Sequence, residues 1–522
     1  MPPTTANAVL KPLCLAIAGC LVSSGLQAAT LTVTNSLNAG EGSLRWAVET
    51  ANGNADPDNQ IIFDPAVDGE TIVLAAVIEI DKSVTITGNG VAETVISGTG
   101  NARLLDITAN ADEVTLSHIT LTEAVGGMGT GGAITNASPA LIVRDSHITN
   151  NTTTYQGGGI LHRPIAEQAF LYVGQSLIDG NTVTGTEPWN RGGGIHAMMM
   201  REDEGVRLRE TVVSNNQAFR GGAVSIEIPL SAYVPLLKTQ IQSSRLENNT
   251  ATDIGGGLLV DAVGPHNLFI QMSTISGNHA GNRGGGVYTG SQSFVLYSLL
   301  ADNSAGFSGA GMFVQFHGYG NGVEESIEVH NSTISGNATS NITFNEGAGL
   351  SVRAGEGSPA PYRFNVSHST IAFNSSSGSM FGSPGLGISN GTPWPLNLDH
   401  SIVTDNRHLS NNHDLDGEFS AQWSILGART TATTVIEGPG TVNSLVAGLE
   451  ALSNNGGASF THALRPSGPA FMGGNPDLDT PVWRDQRASP EFPRIFNGRI
   501  DIGAFESQLD PDLIFGSSFL AE

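Results

Sequence analysis

The stretch STISGNHAGNRGGGV, residues 273–287, decides the fold. Both of its halves recur. The first returns as STISGN at 332–337 and as STIAFN at 369–374. A β-branched or aliphatic residue followed three places later by asparagine marks Asn151, Asn181, Asn216, Asn249, Asn278, Asn303, Asn337, Asn374 and Asn406. The second half is a glycine run closed by an aliphatic residue, ending at Ile134, Ile160, Ile195, Val224, Leu258 and Val287. Degenerate copies end at Met312, Leu350 and Ile388. Each motif has a mean spacing of about 32 residues, and two interleaved motifs with one period define a structural repeat.

The unit between motifs holds short alternating stretches such as Leu141-Ile142-Val143 and Phe294-Val295-Leu296-Tyr297, which read as strands. Helical periodicity is nearly absent. A unit this small cannot bury its own apolar face and must stack on its neighbours. Two or three short strands per coil predict an all-β, right-handed parallel β-helix with coils about 4.8 Å apart. A leucine-rich repeat or a propeller would need LxxLxL or WD patterns, which are missing. Asparagine suits a tight turn because it tolerates the left-handed region and bonds its own backbone, and stacked asparagines can bond along a ladder. Glycine permits positive φ and close approach between coils.

A solenoid must cover its ends or pair with further copies. GSLRWAVETAN at 42–52 is the best helix in the chain, with Ser43 as N-cap, Leu44, Ala47, Val48 and Ala51 on one face, and Gly53 as the stop. Strands follow at 71–74, 84–87 and 114–121. Residues 451–507 lose the repeat and gain proline. The predicted organisation is an export signal over 1–29, an N-terminal cap with its helix over 30–58, the β-helix over 59–450, an irregular closing segment over 451–507 and a tail over 508–522.

Residues 1–29 carry one charge, Lys11, then an apolar run from Leu13 to Leu21 and small residues up to Ala28-Ala29. This is the pattern of a bacterial export signal. Cleavage near Ala28-Ala29 is favoured. The lipobox-like Ile17-Ala18-Gly19-Cys20 leaves open lipidation at Cys20, so the expected destination is secretion or the cell surface of the outer membrane. Both cysteines, Cys14 and Cys20, lie in this segment, so the remainder has neither disulfides nor thiol chemistry. No later apolar stretch approaches the length of a membrane span. The 522 residues hold 66 glycines and carry a net charge of −25, with 48 acidic against 23 basic residues. Without basic clusters in the sequence, nucleic acid is not an expected partner.

Longer-range motifs add a resemblance. GSLRWAVETAN, IIFDPAV and KSVTITGNG look like the start of exported β-helix proteins with a CSLREA-type segment. The repeats resemble those of polymorphic outer-membrane proteins. Asn454–Gly457, Thr461–Leu464, Asp485–Arg487 and Asp501–Glu506, with residues 412–427, resemble the choice-of-anchor Q family. The chain departs from that pattern at Ala488, where a glycine is usual. The resemblance implies a right-handed parallel β-helix at the cell surface or secreted, and implies no activity.

Parallel β-helices include pectate lyases and polygalacturonases, and glycan cleavage makes its own demands on the sequence. Hydrolysis needs paired carboxylates. The chain has no Asp-Asp pair and no Arg-x-Lys, and His317-Gly318 matches one fragment alone. Asn412–Gly417 resembles half of a calcium loop, but Trp423 stands where the twelfth-position Glu belongs. A strand and turn of the closing coils is the competing reading, so no cofactor is assigned and Ca²⁺ is the one weighed. Scattered histidines such as His118 and His147 read as corner residues. One constellation suggests a ligand: Arg191, Arg220 and Arg283 each precede a glycine run, with Tyr155, Trp189, Phe219 and Phe307 in equivalent turns. Stacked arginines with aromatics suit anionic sugars. Salt bridges to Glu202, Asp203, Glu204 or Asp253 are the competing reading. The expectation is a surface or secreted adhesin that binds glycan without cleaving it, with a polysaccharide lyase or glycoside hydrolase as the alternative.

Overall fold

The computed structural model describes residues 29–509, apart from 166–168, 200–204, 229–237, 263–265, 317–324, 341–345, 355–361, 378–382, 390–394, 409–412 and 478–482. Residues 1–28 of the expected export signal, with both cysteines, Glu202–Glu204, His317-Gly318, Asn412 and most of the tail therefore lie outside the described residues. Four all-parallel sheets of 15, 14, 10 and 12 strands run the length of the molecule. One coil shows the plan: Ala140–Arg144 in the first sheet, His147–Thr149 in the second, Thr152–Thr153 in the third and Ile160–His162 in the fourth. Each strand pairs in register with its equivalent one coil on, as Leu141 does with Leu171 and Ile148 with Ile178. The chain is a right-handed parallel β-helix. Among the described residues no helix is long and apolar enough to cross a membrane.

Two corners of the coil are set by single residues in the left-handed region. Between the first and second sheets these include Asp145, Gln175, Glu210, Tyr297, His368, His400 and Trp423, with φ from 47° to 53°. Between the second and third sheets they include Asn150, Gly180, Asn215 and Gly277. This corrects one part of the sequence reasoning. The repeated asparagine does not itself adopt positive φ; the residue before it does, and the asparagine that follows is turned inward and buried. Buried Asn278 donates from Nδ2 to Asn303 Oδ1 at 3.0 Å and accepts at Oδ1 from Asn249 at 2.9 Å. The same bond links every rung from Asn151 to Asn406. The last rung donates to Asp414, whose Oδ1 accepts from Asn406 and whose Oδ2 accepts from the Ala428 N–H.

A second ladder follows the other corner. Ser273 N–H donates to Ser298 Oγ, Ser298 N–H to Ser332 Oγ and Ser332 N–H to Ser369 Oγ, all at 3.1–3.2 Å. The glycine runs form a third column, where neighbouring coils touch backbone to backbone. A Cβ on Gly158 would stand 2.2 Å from the Gly193 carbonyl oxygen, and one on Gly193 the same distance from that of Gly222. Only glycine fits such an approach.

The helix spans Leu44–Gly53, with Ser43 Oγ accepting from the Trp46 N–H and Leu44, Ala47, Val48 and Ala51 buried. It lies between two strands of the first sheet, Thr30–Val33 and Asn59–Phe63, so the β-helix begins before its cap. The single strand expected over 114–121 is two, Glu113–Ser117 and Thr120–Thr122, because His118 (φ 57°) turns the first corner between them. His147 lies in a strand of the second sheet. The last parallel strands are Thr434–Glu437 and Val442–Asn443, followed by an antiparallel pair, Leu449–Ser453 with Thr461–Leu464.

Candidate functional site

The closing segment folds back along the outer face of the second sheet. Arg487 donates to Asp485 Oδ2 at 2.7 and 2.9 Å and to Oδ1 at 3.2 Å, and is sandwiched between Phe492 and Phe505. Gly503 donates to the His400 carbonyl at 2.8 Å, and Ala504 N–H to Thr370 Oγ1 at 3.0 Å. Ile502 and Phe505 join Ile402 and Ile425 in a second apolar cluster. His462 contacts Ser335 across 2.8 Å. His462, Ile502, Gly503, Ala504 and Phe505 thus clamp the segment to the coils.

That docking builds a groove of about 800 Å³. Its floor is the outer face of the first sheet and the corner beside it, and Asn475, Asp477 and Trp483 of the closing segment also line it. Residues that share a column in successive coils are placed there by register: Glu328, Asn365 and Asn397 in one, and His330, Ser367, Asp399 and Gln422 in the next. Asn365 Nδ2 donates to Glu328 Oε1 at 2.8 Å and Asn397 Nδ2 to Asn365 Oδ1 at 3.0 Å. The corner residues His368, His400 and Trp423 stack as a ring column, with His368 and His400 centroids 4.8 Å apart. Tyr297 continues the lining, and Trp483 is 78% exposed.

Electrostatics fix this column. Arg494 is fully buried behind it and donates from Nε to His368 Nδ1 at 3.3 Å. Burial first, then the Arg494 charge, holds His368 well below the usual histidine range, and the same two causes lower His330. The buried partners of Arg494 include Glu506, whose carboxyl is pushed well up by burial and by Asp501. His400 donates from Nδ1 to Asp399 Oδ1 at 2.8 Å and accepts at Nε2 from the Asn475 N–H at 3.0 Å. Donor atoms of His368, Asp399 and His400 lie within 4.8 Å of one another. They do not suit a cation: two imidazole nitrogens are engaged by N–H donors and a guanidinium stands directly behind.

The arginines singled out in sequence lie elsewhere. Arg191 and Arg220 do stack, joined by a parallel bridge between coils. Arg191 is buried and pairs with Asp261 at 2.8 Å; Arg220 pairs with Asp253 at 2.7 Å. Arg283 bonds Ser308, lies 3.6 Å from Glu346 and covers the rings of Phe307 and Phe313. Tyr155 and Phe219 are half-buried, and Trp189 is 55% exposed. Of the calcium-loop residues, Asp414 ends the asparagine ladder and Asp416 accepts from Thr430 Oγ1 at 2.7 Å. Burial pushes Asp414 up to about 6.

The groove residues escaped the sequence reading because the position before the ladder serine varies freely. Reading HST (368–370), HSI (400–402) and WSI (423–425) as one column would have found them. No known family profile matches the chain, and no curated protein matches its sequence.

Proposed function

We propose that the protein is an exported surface or secreted β-helix that binds glycan without cleaving it, and that the groove is the glycan's seat. The observation that carries this reading is the groove's lining. Tyr297, Trp423 and Trp483 offer aromatic surface, and Asn365, Asn397 and Gln422 offer amides. Sugars present apolar ring faces edged by hydroxyls, so flat aromatics with paired donors and acceptors match them. The volume lies within the range of small-ligand clefts. The export signal over 1–29 and the resemblance to CSLREA-type and choice-of-anchor Q proteins support a place in the envelope, with either processing route.

Binding is preferred to hydrolysis on geometry. Glu328 and Asp399 lie two coils and two residues apart, about 12 Å between backbones at the strand spacing. Each is already held, Glu328 by Asn365 and Asp399 by His400.

A glycan panel read for both retention and new reducing ends tests the reading. Trp483→Ala with Asn397→Ala should cut retention at least tenfold while leaving the far-ultraviolet spectrum unchanged. Release of reducing ends would replace this reading with the lyase or hydrolase one. Retention on no glycan would end it.

A further inference from the structure

We infer that the bound glycan is an acidic heteropolysaccharide lying lengthwise on the first sheet, its anionic groups on a cationic strip and its neutral sugars in the groove. This rests on the reading of the groove as a glycan seat. The strip is made by the outward residues of four consecutive strands, Ala140–Arg144, Phe170–Gly174, Gly205–Arg209 and Lys238–Gln242. They carry Arg144, Arg207, Arg209 and Lys238 and no carboxylate, on a chain whose acidic residues outnumber the basic ones by 25.

The contrast with the corner arginines is direct. Arg191 and Arg220 are each matched by carboxylates. Among the described residues Arg207 and Lys238 have no ion-pair partner, and Arg209 has only Glu210, both side chains about half exposed. Arg144 is held over the Tyr172 ring, 5.2 Å from its centroid, and Gly174 leaves the room that this ring fills: a Cβ there would stand 2.6 Å from it. Like charges on neighbouring strands repel. A row of them kept exposed in an acidic molecule is complementary to an anionic ligand.

The strip and the groove share one line. Register places Tyr172, Arg207, Gln240, Phe269, Phe294, Glu328 and Asn365 in a single outward column. Arg207 and Glu328 are four coils apart, about 19 Å at the strand spacing. Between them Phe269 and Phe294 stack on each other at 4.8 Å and 10°, a half-buried apolar step between strip and groove. A small anion cannot reach both ends, whereas an extended polymer can. Charge divides the track. The groove end holds Glu328, Asp399 and Asp477, which repel acidic sugars and accept hydroxyls, so acidic residues belong on the strip and neutral ones in the groove. A flat anionic membrane would meet the strip but not the recessed groove.

The test immobilises hyaluronan, alginate, heparin, dextran and xylan and measures retention of the full chain at 50 and 300 mM NaCl. We expect retention on acidic members above that on dextran or xylan, and a loss of at least tenfold at the higher salt. Arg207→Gln with Arg209→Gln and Lys238→Gln should lose at least tenfold on acidic members at 50 mM; all three side chains are exposed, and an unchanged thermal melt checks the fold. Retention only on dextran or xylan, or an unchanged triple variant, overturns this inference and leaves glycan binding standing. Retention on nothing overturns both. Equal capture by phosphatidylglycerol vesicles through the same three residues assigns the strip to a membrane and overturns the polysaccharide.

Discussion

Truncating one rung of the asparagine ladder, Asn278→Ala, should destabilise the protein by about 4–6 kcal/mol. The side chain is fully buried and makes four hydrogen bonds: Nδ2 to Leu246 O and Asn303 Oδ1, and Oδ1 from the N–H and Nδ2 of Asn249. After truncation Asn303 Oδ1 keeps the Asn278 backbone N–H, and Asn249 Nδ2 keeps Val213 O and Glu247 O. The Asn249 N–H is left buried without an acceptor. An unmet buried donor costs about 1–3 kcal/mol and each further lost bond about 1 kcal/mol, which gives the range stated. Asn278→Asp separates ladder chemistry from simple packing. It keeps both acceptor roles, loses both donor roles, and sets a buried carboxylate against Leu246 O and Asn303 Oδ1. At pH 7 it should cost more than alanine, and the excess should shrink as acid returns a proton that can be donated. Nature places an aspartate in this column at Asp414, where the ladder stops and only acceptance is needed. The measurement is urea unfolding of the purified protein, with hydrogen exchange over 245–305 to show the loss locally, since repeat arrays open by neighbouring coils. A loss below about 1 kcal/mol, or an Asp variant no worse than Ala at pH 7, would refute the reasoning.

Acid should destabilise the fold through its buried histidines, with Asp414, which burial raises to about 6, opposing them in part. Burial lowers His162, His196 and His266 to about 3, so they are neutral when folded and take protons only on unfolding. Their stability contribution is full above about pH 6.5 and is lost as pH falls towards 3, about 2 kcal/mol each by pH 5. Urea midpoints between pH 7 and 5 should show this slope, and His266→Gln should make it shallower by about one histidine's share; an unchanged slope would count against it. Ala488 sits at φ 57°, in the left-handed region that favours glycine, so Ala488→Gly should stabilise by about 0.5–1 kcal/mol, read from the same urea titration.

The two-motif period, the asparagine column and the glycine contacts were legible in the sequence because each coil repeats the same local chemistry at the same corner. Ser43 and the apolar face of its helix were legible for the same reason, since capping and amphipathicity are local. The serine ladder was present in the letters but masked by the variable residue before each rung, the residue that turns the corner. Arg191, Arg220 and Arg283 illustrate the limit: sequence located the arginines and offered Asp253 as a partner, while Asp261 and Glu346, up to 70 residues away, are brought to the others only by the fold. The groove is the clearest case. His368 and Arg494 are 126 residues apart, and His400 and Asn475 are 75. Nothing in a periodic pattern says where an aperiodic segment will dock. The repeat fixes what each coil presents on its faces. Only the fold-back of residues 454–509 decides which of those faces becomes a walled site, because that choice is made by long-range packing of Arg487, Ile502 and Phe505 rather than by the local chemistry that the sequence displays.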